Sequence, residues 1–172
     1  MSEDVVETWF QHDQPVWNHL ADFVIASALP HEDDAVSFEQ LRVRKLDESV
    51  FENCVVPFLC YDLALGDIVS THSDPRFPRL GSFMLHDIVQ PSGRGVARIW
   101  FSDDSSEPRV AHERKSELTA MLQETGFLFE WWGHRLVAVD LSDHARMLQL
   151  RGMVGSFESR WLLEIEVSKA PG

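Results

Sequence analysis

The chain has 172 residues, 44% of them apolar, with 28 acidic against 15 basic side chains and a formal charge of −13. That apolar content suffices for one substantial core or two small ones and is too high for a disordered polymer. The acid excess argues against nucleic-acid phosphates and anionic membranes as direct partners, and a charged partner is expected to be basic.

No stretch approaches the ~20 apolar residues of a membrane helix, and Met1-Ser2-Glu3-Asp4 lacks the basic and apolar regions of a secretory leader, so a cytoplasmic location is expected. Cys54 and Cys60 have neither zinc-type spacing nor the number for a disulfide framework and read as buried free thiols.

In chain order, Val5, Val6, Trp9 and Phe10 would share one side of a short helix, broken before Val16 by Pro15. Phe23–Leu29 reads as a strand stopped by Pro30, and the acidic run Glu32-Asp33-Asp34 falls in the loop that follows. Val36–Leu46 is the next strand, and Asp47-Glu48-Ser49 turns it back into Val50–Val56. Only a few turn residues separate these runs, which predicts an antiparallel meander. Leu65-Gly66-Asp67 is a turn feeding Ile68–Thr71, because glycine permits positive φ and aspartate bonds nearby backbone N–H groups. The Pro-containing loop Ser73–Gly81 leads to a strand over Ser82–Gln90, and Pro91–Gly95 forms a second loop without the lysine and serine of a phosphate-binding loop.

From Val96 to Val167 the chain spells strand, helix, strand, strand, helix, strand, the split βαβ order of ferredoxin-like domains. Val96–Phe101 puts Ala97, Ile99 and Phe101 on one face. Ser102–Ser106, which contains Asp103 and Asp104, supplies N-cap candidates for a helix that begins near Pro108 and ends at Gly126, with Val110, Leu118, Met121 and Leu122 on its stripe and Arg114 as the break. Phe127–Trp132 and Leu136–Leu141 form a hairpin across Gly133-His134. Ser142-Asp143 caps a second helix carrying Met147, Leu150, Val154 and Phe157, and the last strand sends Trp161, Leu163, Ile165 and Val167 inward. The expected fold is α+β: an antiparallel β portion, residues 1–95, packed with a βαββαβ portion, residues 96–172, as one cooperative unit.

Glu39 with Leu41, Asn53 with Pro57-Phe58, Leu65-Gly66-Asp67 with Val69, Ser92-Gly93 and Arg98 together resemble a bacterial domain family of unknown function. Its pattern runs E-x-L, N-x-P-F, L-G-D-x-V, then S-G, then a ferredoxin-like C-terminal half. Here two additional residues separate Asn53 from Pro57. The resemblance spans roughly residues 23–168 and implies no activity.

No H-E-x-x-H, H-x-H, G-x-S-x-G or G-x-G-x-x-G pattern occurs, so the sequence nominates no catalytic residue, metal site or cofactor. The sheet face opposite the helices would carry Arg98, Trp100, Leu128, Glu130, Trp132, Leu136, Ala138, Asp140, Leu162, Glu164 and Glu166. Either the N-terminal portion covers that face or it binds a protein. The leading functional reading is a protein inhibitor, a bacterial immunity protein whose acidic surface covers the active site of a basic partner such as a toxin enzyme. Its candidate contacts are Glu32, Asp33, Asp34, Asp103, Asp104, Trp132 and His134. The alternatives are a small hydrolase or isomerase using Asp67, His72, His86 or Asp87, and a small-ligand binder in the seam between the halves. The sequence sets no oligomeric state.

Overall fold

The strand β3 (Val36–Lys45) holds the N-terminal portion together, because its ten residues are long enough to pair with three neighbours. In the computed structural model, which describes residues 7–30, 36–80, 83–102, 107–161 and 163–172 without the side chains of 158–161, β2 (Phe23–Leu29) runs antiparallel along one edge of β3. Along the other edge lie β1 (Glu7–Phe10), parallel to Val36–Glu39, and then β4 (Val50–Asn53), antiparallel to Val43–Lys45. The meander continues through β5 (Ile68–His72) and β6 (Met84–Gln90), and a parallel Ala26↔Met84 pairing brings β6 back to β2. The predicted meander is therefore a barrel, closed because β6, its last strand, pairs back with β2, its first. Closure removes most of the edges an open sheet would expose. Ile25, Leu41, Val43, Phe51, Val55, Leu63 and Val69 fill it.

Two departures from the sequence reading fall in this half. Residues 7–10 form a strand and not a helix: Trp9 stacks on Phe38 at 4.6 Å, and pairing with β3 satisfies a segment too short to hold helical turns unaided. The strand expected to reach Val56 stops at Asn53, whose own side chain takes over the bonding of the chain beyond it.

The second sheet has the order β10-β7-β9-β8 and is antiparallel throughout, as a split βαβ pattern requires. Its strands are β7 (Gly95–Phe101), β8 (Phe129–Trp132), β9 (Leu136–Leu141) and β10 (Leu163–Lys169). Ala97, Ile99, Phe101, Val137 and Val139 meet Leu118 and Leu122 of α1 (Pro108–Glu124) and Leu150 and Val154 of α2 (His144–Trp161). Gly126, at φ +69°, ends α1 and lets Phe127 N–H reach the carbonyl of Leu122. Asp143 caps α2 by accepting the N–H of Arg146 at 2.8 Å.

Three details of this half differ from expectation. Glu107, not a serine, is the N-cap of α1, and it makes no side-chain capping bond; Pro108 follows at the first helical position. Val110 is 41% exposed while Arg114 is buried in the stripe, its guanidinium 5.0 Å from the centre of the Phe101 ring. Trp161 closes α2, so the last strand starts at Leu163. Among the described residues no helix is long and apolar enough to cross a membrane.

The loop between β4 and β5 lies between the two sheets. Val56, Phe58 and Ala64 pack on Val96, Leu136 and Ala138, so the centre of the sheet face opposite the helices is covered, while Trp132, Glu164 and Glu166 at its margins are exposed. Arg98, Leu136 and Ala138 there are fully buried, and Glu130 and Asp140 are nearly so. Since a shared apolar cluster and buried charged contacts join the halves, calorimetry should show one unfolding transition. Two well-separated transitions of similar size would show instead that the halves fold independently.

Candidate functional site

The residues that carry the motifs converge on this inserted loop. Asn53 donates its side-chain amide to the carbonyls of Val55 and Ala64, each at 2.9 Å, closing the loop at its base. Asp67 accepts Ala64 N–H at 2.8 Å, Ser92 N–H at 2.7 Å and Lys169 Nζ at 2.6 Å. It thereby ties the loop, the turn before β7 and the C-terminal strand to one carboxylate. Gly66 precedes it at φ +79°, and a Cβ there would meet the Trp17 ring at 3.2 Å. The L-G-D turn is thus a structural joint, in which Asp67 is fully occupied.

At the loop's centre is a cluster of buried charge. His12 stacks face to face on Phe58, with centroids 4.1 Å apart, and presents one ring nitrogen to each of two glutamates. Nδ1 lies 2.5 Å from Glu130 and Nε2 lies 3.0 Å from Glu39. Glu39 also accepts N–H groups from Phe58 at 2.6 Å, Leu59 at 2.9 Å and Cys60 at 2.6 Å. Glu130 accepts those of Val16 at 3.1 Å and Val56 at 2.9 Å. One carboxylate comes from the barrel, the other from the ferredoxin-like sheet, and the imidazole joins them across the loop.

Both ring nitrogens face carboxylates, so the imidazolium with two donors is the form that fits. Burial pulls the His12 pKa down, but hydrogen bonds and charge from Glu130 and Glu39 outweigh it and raise the pKa to about 9. Burial likewise pushes Glu39 up, and the His12 bond and charge with the Phe58 and Leu59 N–H groups bring it below its ordinary value. Arg98 adds a second cation, fully buried, with Nη2 donating to the Cys60 carbonyl at 3.3 Å and the guanidinium 4.2 Å from the Tyr61 ring centre. Arg98 thus adds its charge on the Glu39 side of the cluster without pairing directly with either carboxylate among the described residues. The buried Arg98 Nε and Nη1 have no hydrogen-bond partner among the described residues.

This arrangement holds protons and charges in place and leaves little room for chemistry. The His12 side chain is fully buried, and both of its nitrogens are engaged. Burial and the Glu39 charge push the Cys60 thiol up to about 12, and burial with Glu52 pushes Cys54 to about 11, so neither is a thiolate nucleophile at neutral pH. Both cysteines are free, as expected. Among the described residues, no three His, Cys, Asp or Glu side chains gather as metal ligands.

The four residues named for an enzyme do not come together as one site. Asp67 is consumed as above, and Asp87 is exposed and accepts the N–H of Ile88. His72 and His86 do meet, with ring centroids 4.7 Å apart on paired strands, but no carboxylate hydrogen-bonds either ring among the described residues. The seam named for a ligand is filled by the loop. Elsewhere on the described residues lie an apolar cleft of about 330 Å³ walled by Phe10, Leu29, Pro30, Ser37, Leu59 and Tyr61, and a cleft of about 530 Å³ on the outer side of β8.

Of the residues named for a partner, Glu32, Asp33, Asp34, Asp103 and Asp104 lie outside the described residues. Trp132 and His134 are exposed at the β8–β9 hairpin, where Trp132 contacts Phe10 at 4.9 Å. Phe101 N–H donates to the Arg135 carbonyl, so the end of β7 lies beside that hairpin.

The His12, Glu39 and Glu130 cluster was not read from the sequence. Its signal was there in alternation: Glu39 shares a strand face with Leu41 and Val43, which marks a carboxylate aimed into a core.

A model of a domain of unknown function, DUF4265, matches residues 39–161. No curated protein matches the chain in sequence. Among solved structures, a hypothetical protein from Neisseria gonorrhoeae is similar in fold at 15% identity, with a TM-score of 0.64 over 87% of this chain and 95% of that one.

Proposed function

We propose that this chain, which belongs to the DUF4265 family, is a protein-binding inhibitor whose acidic surface covers the active site of a basic partner. A bacterial immunity protein neutralising a toxin enzyme in the cytoplasm acts in this way. The observation that carries the reading is where the charge lies. Among the described residues, the buried carboxylates Glu39, Asp67, Asp74, Glu130 and Asp140 are largely matched by buried Arg98, Arg114 and protonated His12. The core therefore absorbs little of the −13 excess, which leaves a strongly acidic surface.

Enzymes that act on nucleic acids or nucleotides present anion-binding clefts, which such a surface complements. Opposite charge raises the rate of encounter, and speed matters when a toxin must be captured before it acts. Exposed Trp132 and His134 supply an aromatic anchor of the kind that dominates interface energies, with acidic Asp103 and Asp104 close in sequence to the neighbouring end of β7.

Co-expression with the product of the adjacent gene tests this. A complex should form, its association rate should fall steeply with added salt, and reversing Glu32, Asp33 and Asp34 to lysine should slow association about tenfold at low ionic strength. Failure to form a complex, or a complex whose association rate ignores both salt and the triple reversal, would overturn the electrostatic inhibitor.

A further inference from the structure

We infer that the outer edge of β8 is a docking groove for an extended, cationic segment of a partner protein, added as a fifth strand to the ferredoxin-like sheet. The inference rests on the inhibitor reading above and specifies how part of the partner is held.

β8 ends the sheet and pairs only with β9. Asp140 N–H donates to the Leu128 carbonyl, which fixes the phase of the ladder: 128↔140 and 130↔138 are the bonded pairs. The N–H and C=O of Phe129 and Trp131 therefore point away from β9, and they have no hydrogen-bond partner among the described residues. Both residues line the cleft of about 530 Å³. Lys115, Thr119 and Gln123 of α1 form one wall, and Asp13 and Gln14 the other.

The sheet's two edges are treated differently. β10 carries a bulge between Val167 and Lys169 and exposes Glu164 and Glu166, devices that discourage further pairing. β8 has no bulge and no proline. Thr119 accepts the Trp131 indole N–H at 3.0 Å, and Lys115 is bonded to the Gly133 carbonyl at 2.7 Å with its ammonium 5.0 Å from the Trp131 ring centre. The wall is thus already ordered, which lowers the entropic cost of adding a strand.

Charge selects the occupant. A second copy would bring together two chains of −13, so self-pairing of β8 is opposed. In an added strand, residues opposite Phe129 and Trp131 turn toward α1, where the Lys115 ammonium disfavours a cation and an apolar residue fits, and the alternate residues turn toward exposed Asp13, which Lys115 faces across the cleft. A segment alternating apolar and cationic residues fits, with main-chain bonds giving affinity.

A capped heptapeptide alternating valine and arginine tests this against the full chain, read by amide hydrogen exchange. Saturable binding should slow exchange of the Phe129 and Trp131 amides about tenfold. Asp13→Lys should weaken it at least fivefold, and N-methylation of the peptide along its bonding edge, or glutamate in place of arginine, should abolish it. The proposal is overturned if neither amide is protected, if the N-methylated peptide protects equally, or if both amides become protected with rising protein concentration alone, which would place a second copy there. If the adjacent-gene complex forms and leaves both amides exchanging as in the free chain, the groove is overturned while the inhibitor stands. If no such complex forms but the peptide binds as expected, the reverse holds.

Discussion

Replacing Glu39 with alanine is expected to destabilise the protein by about 3–5 kcal/mol, the range seen when one partner of a buried ion pair is removed. The carboxylate is fully buried and is the common acceptor for three consecutive main-chain N–H groups, those of Phe58, Leu59 and Cys60, and for His12. Alanine leaves all four donors without an acceptor in an interior that water does not reach, and each unmet donor costs about 1–3 kcal/mol. His12 would also lose one of its two counter-charges while Arg98 remains buried nearby. For a chain of this size the melting temperature should fall by roughly 6–20 °C, at about 2–4 °C per kcal/mol. Glu39→Gln should recover little, because its amide would turn an N–H₂ toward the same donors. Removing Glu113, an exposed partner of Arg109 one helical turn away, should change stability by no more than about 0.5 kcal/mol. Thermal and urea unfolding of the three variants decide the matter, and a Glu39→Ala protein within about 1 kcal/mol of the parent would show that the cluster is not a structural centre.

The elements of this fold were legible because most rest on local signals. Alternation in Val96–Phe101 and Leu136–Leu141 matches the observed strands to within one residue, and Phe23–Leu29 is matched at both ends. What failed depended on distant partners. Glu7–Phe10 is a strand only because β3 offers an edge to pair with, and a four-residue segment has no period long enough to reveal that. Asn53 stops its strand because its side chain prefers carbonyls two and eleven residues on. The ferredoxin-like pattern was visible, whereas barrel closure was not, since it turns on a single Ala26↔Met84 pairing. The buried cluster was hidden for the same reason: Glu39 and Glu130 are 91 positions apart and His12 lies in an irregular segment, so no spacing could join them. The excess of acidic residues, by contrast, is read from composition alone.

Stability should decline between pH 6.5 and about 9, a window set by His12. Its folded pKa is raised above the unfolded value, so its contribution is complete below pH 6.5 and is lost as pH climbs through the folded value. A shift from 6.5 to about 9 corresponds to something on the order of 3 kcal/mol, or roughly 6–12 °C in melting temperature. The thiols do not confuse this range. Cys54 and Cys60 have folded values raised to about 11 and about 12, so their contribution is present below the unfolded value of 9.0 and is lost only at higher pH. Glu39 works at the other end: its lowered pKa contributes stability above the ordinary carboxylate range, lost as pH falls through the folded value. A broad maximum between the two limbs follows from one imidazolium held between two carboxylates. His12→Gln should be less stable throughout and should flatten the alkaline limb, because the group that titrates there is gone. If the variant keeps the parent's decline between pH 6.5 and 9, the imidazole is not the group responsible and the assignment of His12 as a buried cation is wrong.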